Sequence, residues 1–160
     1  MKNARRIFND ERAIELPINI VVMLVVGMVA LAALIAIIPP PTKNMAVNID
    51  EAGLQGTALS AGNTIVVDAV TAQNPLTVMV RITATEPDGN PVRNANAVLR
   101  GLGGVASNTT DINGETTLIT TAAQVEMGAN QNEGTMDLTI AADGFYDYEK
   151  KDAVMVIKTK

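Results

Sequence analysis

Residues Ile18 to Ile38 carry no charged side chain across 21 positions, and this run constrains the fold more than any other feature of the chain. As a helix it would rise about 1.5 Å per residue, roughly 30 Å in all, the thickness of a bilayer's hydrocarbon core. A rod that apolar has to be covered by lipid or by other protein. Pro39, Pro40 and Pro41 end it, because proline cannot continue a helix and restricts the residue before it. Lys2, Arg5, Arg6 and Arg12 precede it, against Asp10 and Glu11, so residues 1–13 carry +2 and the rest −7 of the net −5. The positive-inside rule then puts residues 1–13 in the cytoplasm and the chain after the rod outside. A cleaved secretory signal has a shorter apolar region, about 7–15 residues, with a small-residue cleavage site after it. The ordinary signal-peptide reading therefore fits poorly.

Composition closes several other routes. The chain has no cysteine, no histidine and no tryptophan. Disulfides and thiolate chemistry are excluded, and the commonest general base and metal ligand is missing. An acidic body is a poor partner for nucleic acid, whose phosphates are bound through Lys and Arg. No cofactor is expected.

The start of the rod, Arg12-Ala13-Ile14-Glu15, resembles the class III signal of archaeal type IV pilin-like proteins. That resemblance implies a prepilin peptidase cutting between Ala13 and Ile14, before the helix, so that the helix stays in the mature chain. Pro17 would then be the fourth residue, where a helix N–H has no intrahelical partner and proline loses no bond. Alternatively, the helix of an uncut chain simply starts near Pro17. Glu15 has two readings. The resemblance implies a carboxylate pairing with a neighbouring subunit's free amine, although at the second mature position rather than the usual fifth. Otherwise it is a solvated group at the membrane edge. Asn19 is either an interhelical hydrogen-bonding group or interfacial. Gly27, Ala30, Ala32, Ala33 and Ala36 offer small surfaces for close helix packing, and they suit an ordinary membrane helix too.

Beyond residue 42 the pattern becomes strand-like. In residues 76–89, Val78, Val80 and Ile82 alternate with Thr77, Met79, Arg81 and Thr83, the period of a half-buried strand. Further strands are predicted at 63–70, 95–100, 115–120, 134–141 and 153–158, and the short spacing reads as a sandwich of about seven strands. Turns are predicted after residue 85, at 111–114, 128–134 and 142–144. Residues 121–128 read as a loop or a single helical turn, and Gly101 to Gly104 as a flexible loop. The fold class expected is an N-terminal apolar helix followed by an antiparallel β-sandwich. The divisions are a basic leader at 1–13, the helix at 14–38, a Pro-rich junction at 39–43 and the sandwich at 44–160.

Three blocks sharpen this. Asp88, Gly89, Pro91, Val92, Ala95, Val98 and Leu99 form the first. Thr110, Asp111, Asn113, Gly114 and Leu118 form the second, and Ala142, Gly144 and Phe145 the third. In that order they resemble the Ig-like and transthyretin-like modules known as carboxypeptidase regulatory-like and invasin-like domains. The resemblance implies turns at Gly89 and Gly114. It also implies a core containing Val92, Ala95, Val98 and Leu99, with Phe145 closing one end. It says almost nothing about activity, since one sandwich carries many functions.

Asp88, Asp111, Asp143, Asp147 and Asp152 are oxygen ligands of the right type for calcium. Their spacing matches no calcium loop, however, and Asx turns explain most of them, so no metal is expected. No phosphate-binding loop or nucleophile elbow is present, and an enzyme is not expected. Asn108-Thr109-Thr110 is an N-glycosylation triplet, placed on a predicted loop. Two functions compete. In the first, the chain is a homo-oligomeric filament subunit. It sits in the membrane as a precursor, is processed by a prepilin peptidase and assembly machinery, and ends at the cell surface in adhesion. In the second, it is a single-pass anchored Ig-like binding or stalk protein of the envelope.

Overall fold

The computed structural model describes residues 12–37, 42–121 and 124–159, with side chains from residue 18 onward. The chain forms two compact units, residues 1–40 and 41–160. The first contains helix α1, Arg12–Ile37. The leader up to residue 11 and Pro39 to Pro41 lie outside the described residues.

The second unit is an Ig-like β-sandwich. Its strands are β1 (Ala46–Leu54), β2 (Ser60–Ala61), β3 (Thr64–Asp68), β4 (Val78–Thr85), β5 (Asn96–Gly101), β6 (Gly104–Thr109), β7 (Glu115–Ile119), β8 (Glu133–Ala141) and β9 (Tyr148–Thr159). One sheet has the order β2-β1-β4-β7 and the other β3-β9-β8-β5-β6. Every pairing is antiparallel except β3 with β9, which is parallel from Thr64 opposite Met155 to Asp68 opposite Thr159. The purely antiparallel expectation is corrected at that edge. Hairpins alone cannot make such a pair, because strand β3 is 80 residues ahead of its partner and both run the same way.

The core follows from alternation. In β4, Val78, Val80, Ile82 and Ala84 are fully buried while Arg81 is exposed. Across the sandwich Leu138, Ile140, Met136, Val154 and Val156 join the same cluster. In β5 and the residue before it the buried set is Ala95, Ala97 and Leu99, and Val98 is only half-buried. The expected core position for Val98 is therefore wrong. A strand's side chains alternate, so residues 98 and 99 cannot both point inward. Val92 is buried, and Phe145 is partly buried against the core.

The predicted strand at 76–89 ends at Thr85, where the Glu86–Asn90 turn begins. Strand β9 starts at Tyr148, five residues before the prediction. Its early part has Tyr148 half-buried against the core and Glu149 to Lys151 exposed, and Asp152 takes φ 52° in a bulge opposite Asp137. Gly101 to Gly104 is no flexible loop. It is a two-residue hairpin whose central Leu102 and Gly103 both take positive φ, 51° and 82°, as a type I′ turn requires. Packing fixes it further, since a Cβ on Gly101 would lie 2.5 Å from the Thr135 carbonyl oxygen. Residues 121 and 124–128 contain no helix, and Val125 bridges Leu76.

Candidate functional site: an exposed apolar helix

Helix α1 is apolar all round. Every side chain from Ile18 to Ile37 is exposed, including Met23 at 77% and Leu34 at 60%. Within this segment 20 residues meet the length and composition needed to cross a membrane, and none of that window is buried. A helix hydrophobic on every face belongs in lipid or in the interior of an assembly. Removing it from water is worth about 1.5–3 kcal/mol for each large apolar side chain. That total dwarfs any single interaction in the sandwich.

The sequence-predicted positions on this helix fall as follows. Ala13, Ile14 and Glu15 lie in its first turn, and their side chains are outside the described residues. Pro17 is the sixth helical residue counted from Arg12, so the helix does not start at the proline. There it denies the Ala13 carbonyl its partner, at a cost of about 3 kcal/mol for an interior proline. Asn19, Gly27 and Ala30 are exposed on the rod. A Cβ added to Gly27 would meet nothing within 4 Å.

The chain enters the sandwich through a short clasp. Lys43 donates its N–H to the Gly144 carbonyl at 2.9 Å, and its own carbonyl accepts the Tyr146 N–H at 2.9 Å. Lys43 Nζ reaches Glu86 Oε2 at 3.0 Å. The hydrogen bond and charge of Glu86 raise the Lys43 pKa above its ordinary value. The turns at 86–95, 110–114 and 142–147 gather at this entry end; Arg93 Nε, donating to the Ile112 carbonyl at 3.0 Å, ties the first two together, and Lys43 holds the third. Thr159 ends the last strand at the opposite end, beside Asp68.

Two of the carboxylates weighed for calcium, Asp88 and Asp111, are engaged in their own turns. Asp111 Oδ1 accepts the N–H groups of Asn113 and Glu115 at 2.8 and 2.9 Å. Asp88 accepts from Asn90. Among the described residues, no group of three or more acidic, Cys or His side chains could hold a metal. A depression of about 550 Å³, lined by Ala69, Ala72, Gln73, Met127, Gly128, Ala129 and Lys158, lies at the end away from the clasp. It places no nucleophile beside a base.

Asn108 lies in strand β6, not in a loop. Its amide donates to the Thr117 carbonyl at 3.0 Å, and its Oδ1 accepts the Thr109 N–H at 2.9 Å. Sequence reasoning missed β1, β2, β6 and the Lys43 clasp. Only the alternation of Val47 and Ile49 hints at β1, because between Ile49 and Leu54 the strand's residues are small or polar.

No protein-family profile and no curated protein matches the sequence. Among solved structures, the chain is similar to a bacterial immunoglobulin-like domain from the M. primoryensis ice-binding adhesin. The identity is 18% over 75% of this chain and 99% of that one, with a TM-score of 0.37. The two sheets of this chain establish the Ig-like sandwich by their own strand order.

Proposed function

We propose that the chain is a structural subunit of a surface filament of the archaeal type IV pilus kind. Its helix is kept after leader removal and packed among copies of itself, with the sandwich displayed outside in adhesion. The observation that supports this most directly is the 20-residue apolar stretch of α1, Ile18–Ile37, with no buried face. Pro17 adds to it. Cutting before Ile14 makes Pro17 the fourth residue, and the Ala13 carbonyl it had left unpartnered goes with the leader. The uncharged rod with Gly27 and Ala30 on its surface suits close packing of like helices. A processing peptidase, the assembly machinery and other copies of the chain are the partners this reading requires.

The second reading is a single-pass anchor carrying an envelope stalk or binding module. The match between the helix length and a bilayer core favours it. Mass spectrometry of surface-derived protein separates the two. A chain beginning at Ile14, together with fibres in electron micrographs of sheared surface material, is the expected result. An intact Met1 and monodisperse protein in detergent would leave the anchor.

A further inference from the structure

Asn108-Thr109-Thr110 is the one Asn-X-Ser/Thr triplet in the chain, and the structure places it on a strand with an unusual edge. Strand β6 lies at the end of the five-stranded sheet. Its six residues, Gly104–Thr109, include no charge and no proline, devices that normally keep a sheet edge from recruiting another strand, and the edge is covered at one point, where the Val105 carbonyl accepts the Thr121 N–H at 3.2 Å. Asn108 is exposed on that edge and leans across to β7 through the Thr117 carbonyl.

We propose that Asn108 carries an N-linked glycan, that it is attached before the sandwich closes, and that it then shields the β6 edge. The proposal rests on the reading that the sandwich is outside the cell. The donor is a polyprenyl phosphate-linked sugar. Its anomeric carbon–oxygen bond breaks, the carbon bonds to Asn108 Nδ2, one Nδ2 proton is lost, and the lipid phosphate leaves with the electron pair. One N–H remains on Nδ2, enough to keep donating to Thr117, so the folded sandwich tolerates the product.

The timing follows from Thr110. The transferase recognises the hydroxyl two residues after the asparagine. Here that threonine is only 2% exposed. Its hydroxyl donates to the Val92 carbonyl at 2.7 Å and accepts the Ala95 N–H at 2.9 Å. The Thr110 backbone is equally committed, donating to Ala95 and accepting from Asn94. Presenting Thr110 to an enzyme means undoing the join between β5 and the β6–β7 turn, so the folded domain is a poor acceptor.

The test uses full-length chain in detergent, a purified oligosaccharyltransferase of Asn-X-Ser/Thr specificity and a polyprenyl-linked glycan. Leu99→Asp, which buries a carboxylate in the core, supplies the open chain, and circular dichroism checks that it is open. Expected is addition of glycan mass at Asn108 about tenfold faster or more on the open chain, abolished by Asn108→Gln. Equal rates on folded and open chain overturn the timing, and no addition to either overturns the site. Because the assay is in vitro, a failure is independent of where the protein resides. For the shielding role, glycosylated and bare folded protein are compared by light scattering. Slower association of the glycosylated form is expected, and equal association overturns it.

Discussion

Lys43 Nζ stands 3.0 Å from Glu86 Oε2, and the same lysine's backbone is paired with Gly144 and Tyr146. A single residue thus ties the chain's entry to two separate turns of the sandwich. Its pKa is raised by Glu86. A base with a raised folded pKa contributes stability that is full below its unfolded value and is lost as pH climbs through the folded one. The Glu86→Gln variant should therefore melt below the wild type at neutral pH. The gap should close as pH rises beyond the ordinary lysine value of 10.5. Thermal melts of the two proteins across that range check it; a gap that widens would contradict the pairing.

The chain enters beside Lys43 and leaves at Thr159, at opposite ends of the strands. Tension between those points slides β1 along β4, loading the pairs from Ala46–Thr85 to Leu54–Val78 together. Pulling between residue 42 and the Glu86–Asn90 turn opens the same pairs one by one. With no native cysteine, handles can be placed at will. Thr42→Cys with Thr159→Cys should unfold at a force about twofold or more above Thr42→Cys with Pro87→Cys, because forced rupture follows the unfolding barrier. Optical tweezers give the comparison.

Thr116 Oγ1 is buried without a hydrogen-bond partner among the described residues. Its hydroxyl loses water and gains nothing, a penalty of about 1–3 kcal/mol. Thr116→Val keeps the shape and removes the polar atom. Urea unfolding should show a gain of about 1 kcal/mol with an unchanged slope.

The register of β5 predicts a contrast between neighbours. Leu99 is fully buried and Val98 half-buried. Leu99→Ala should cost about 2–5 kcal/mol, whereas Val98→Thr should change stability by about 0.5 kcal/mol or less. Equal losses in chemical denaturation would mean the strand sits one residue out of register.

On the helix, Gly27 has open space around the position a Cβ would take. Gly27→Leu should leave melting of the sandwich and insertion into membranes untouched. If like helices pack closely there, it should also lower the yield of fibres several-fold. Negative-stain counts against total membrane-bound chain provide the measurement.

The apolar rod was legible because it depends on composition and length alone: 21 uncharged residues in a row need no partner to be recognised. Strand β4 was legible because its alternation is complete, and the turns at Gly89 and Gly114 because both take positive φ, 90° and 77°. Strand β1 was not, since its residues Asn48, Asp50, Glu51 and Gly53 are held by pairing to β4 rather than by their own preference. The Gly101–Gly104 segment looked flexible by composition. It is rigid because the Thr135 carbonyl and Val125 press against its glycines.

By itself the sequence determined that a long apolar helix precedes a strand-rich acidic body, since hydropathy and the two-residue period act locally along the chain. Only the tertiary structure decided that β3 runs parallel to β9, that Val98 faces outward and that Lys43 closes the entry. It also decided that the Thr110 hydroxyl is locked between Val92 and Ala95. Each of these depends on residues far apart in the chain meeting in space, and no local propensity encodes which distant backbone will supply the partner.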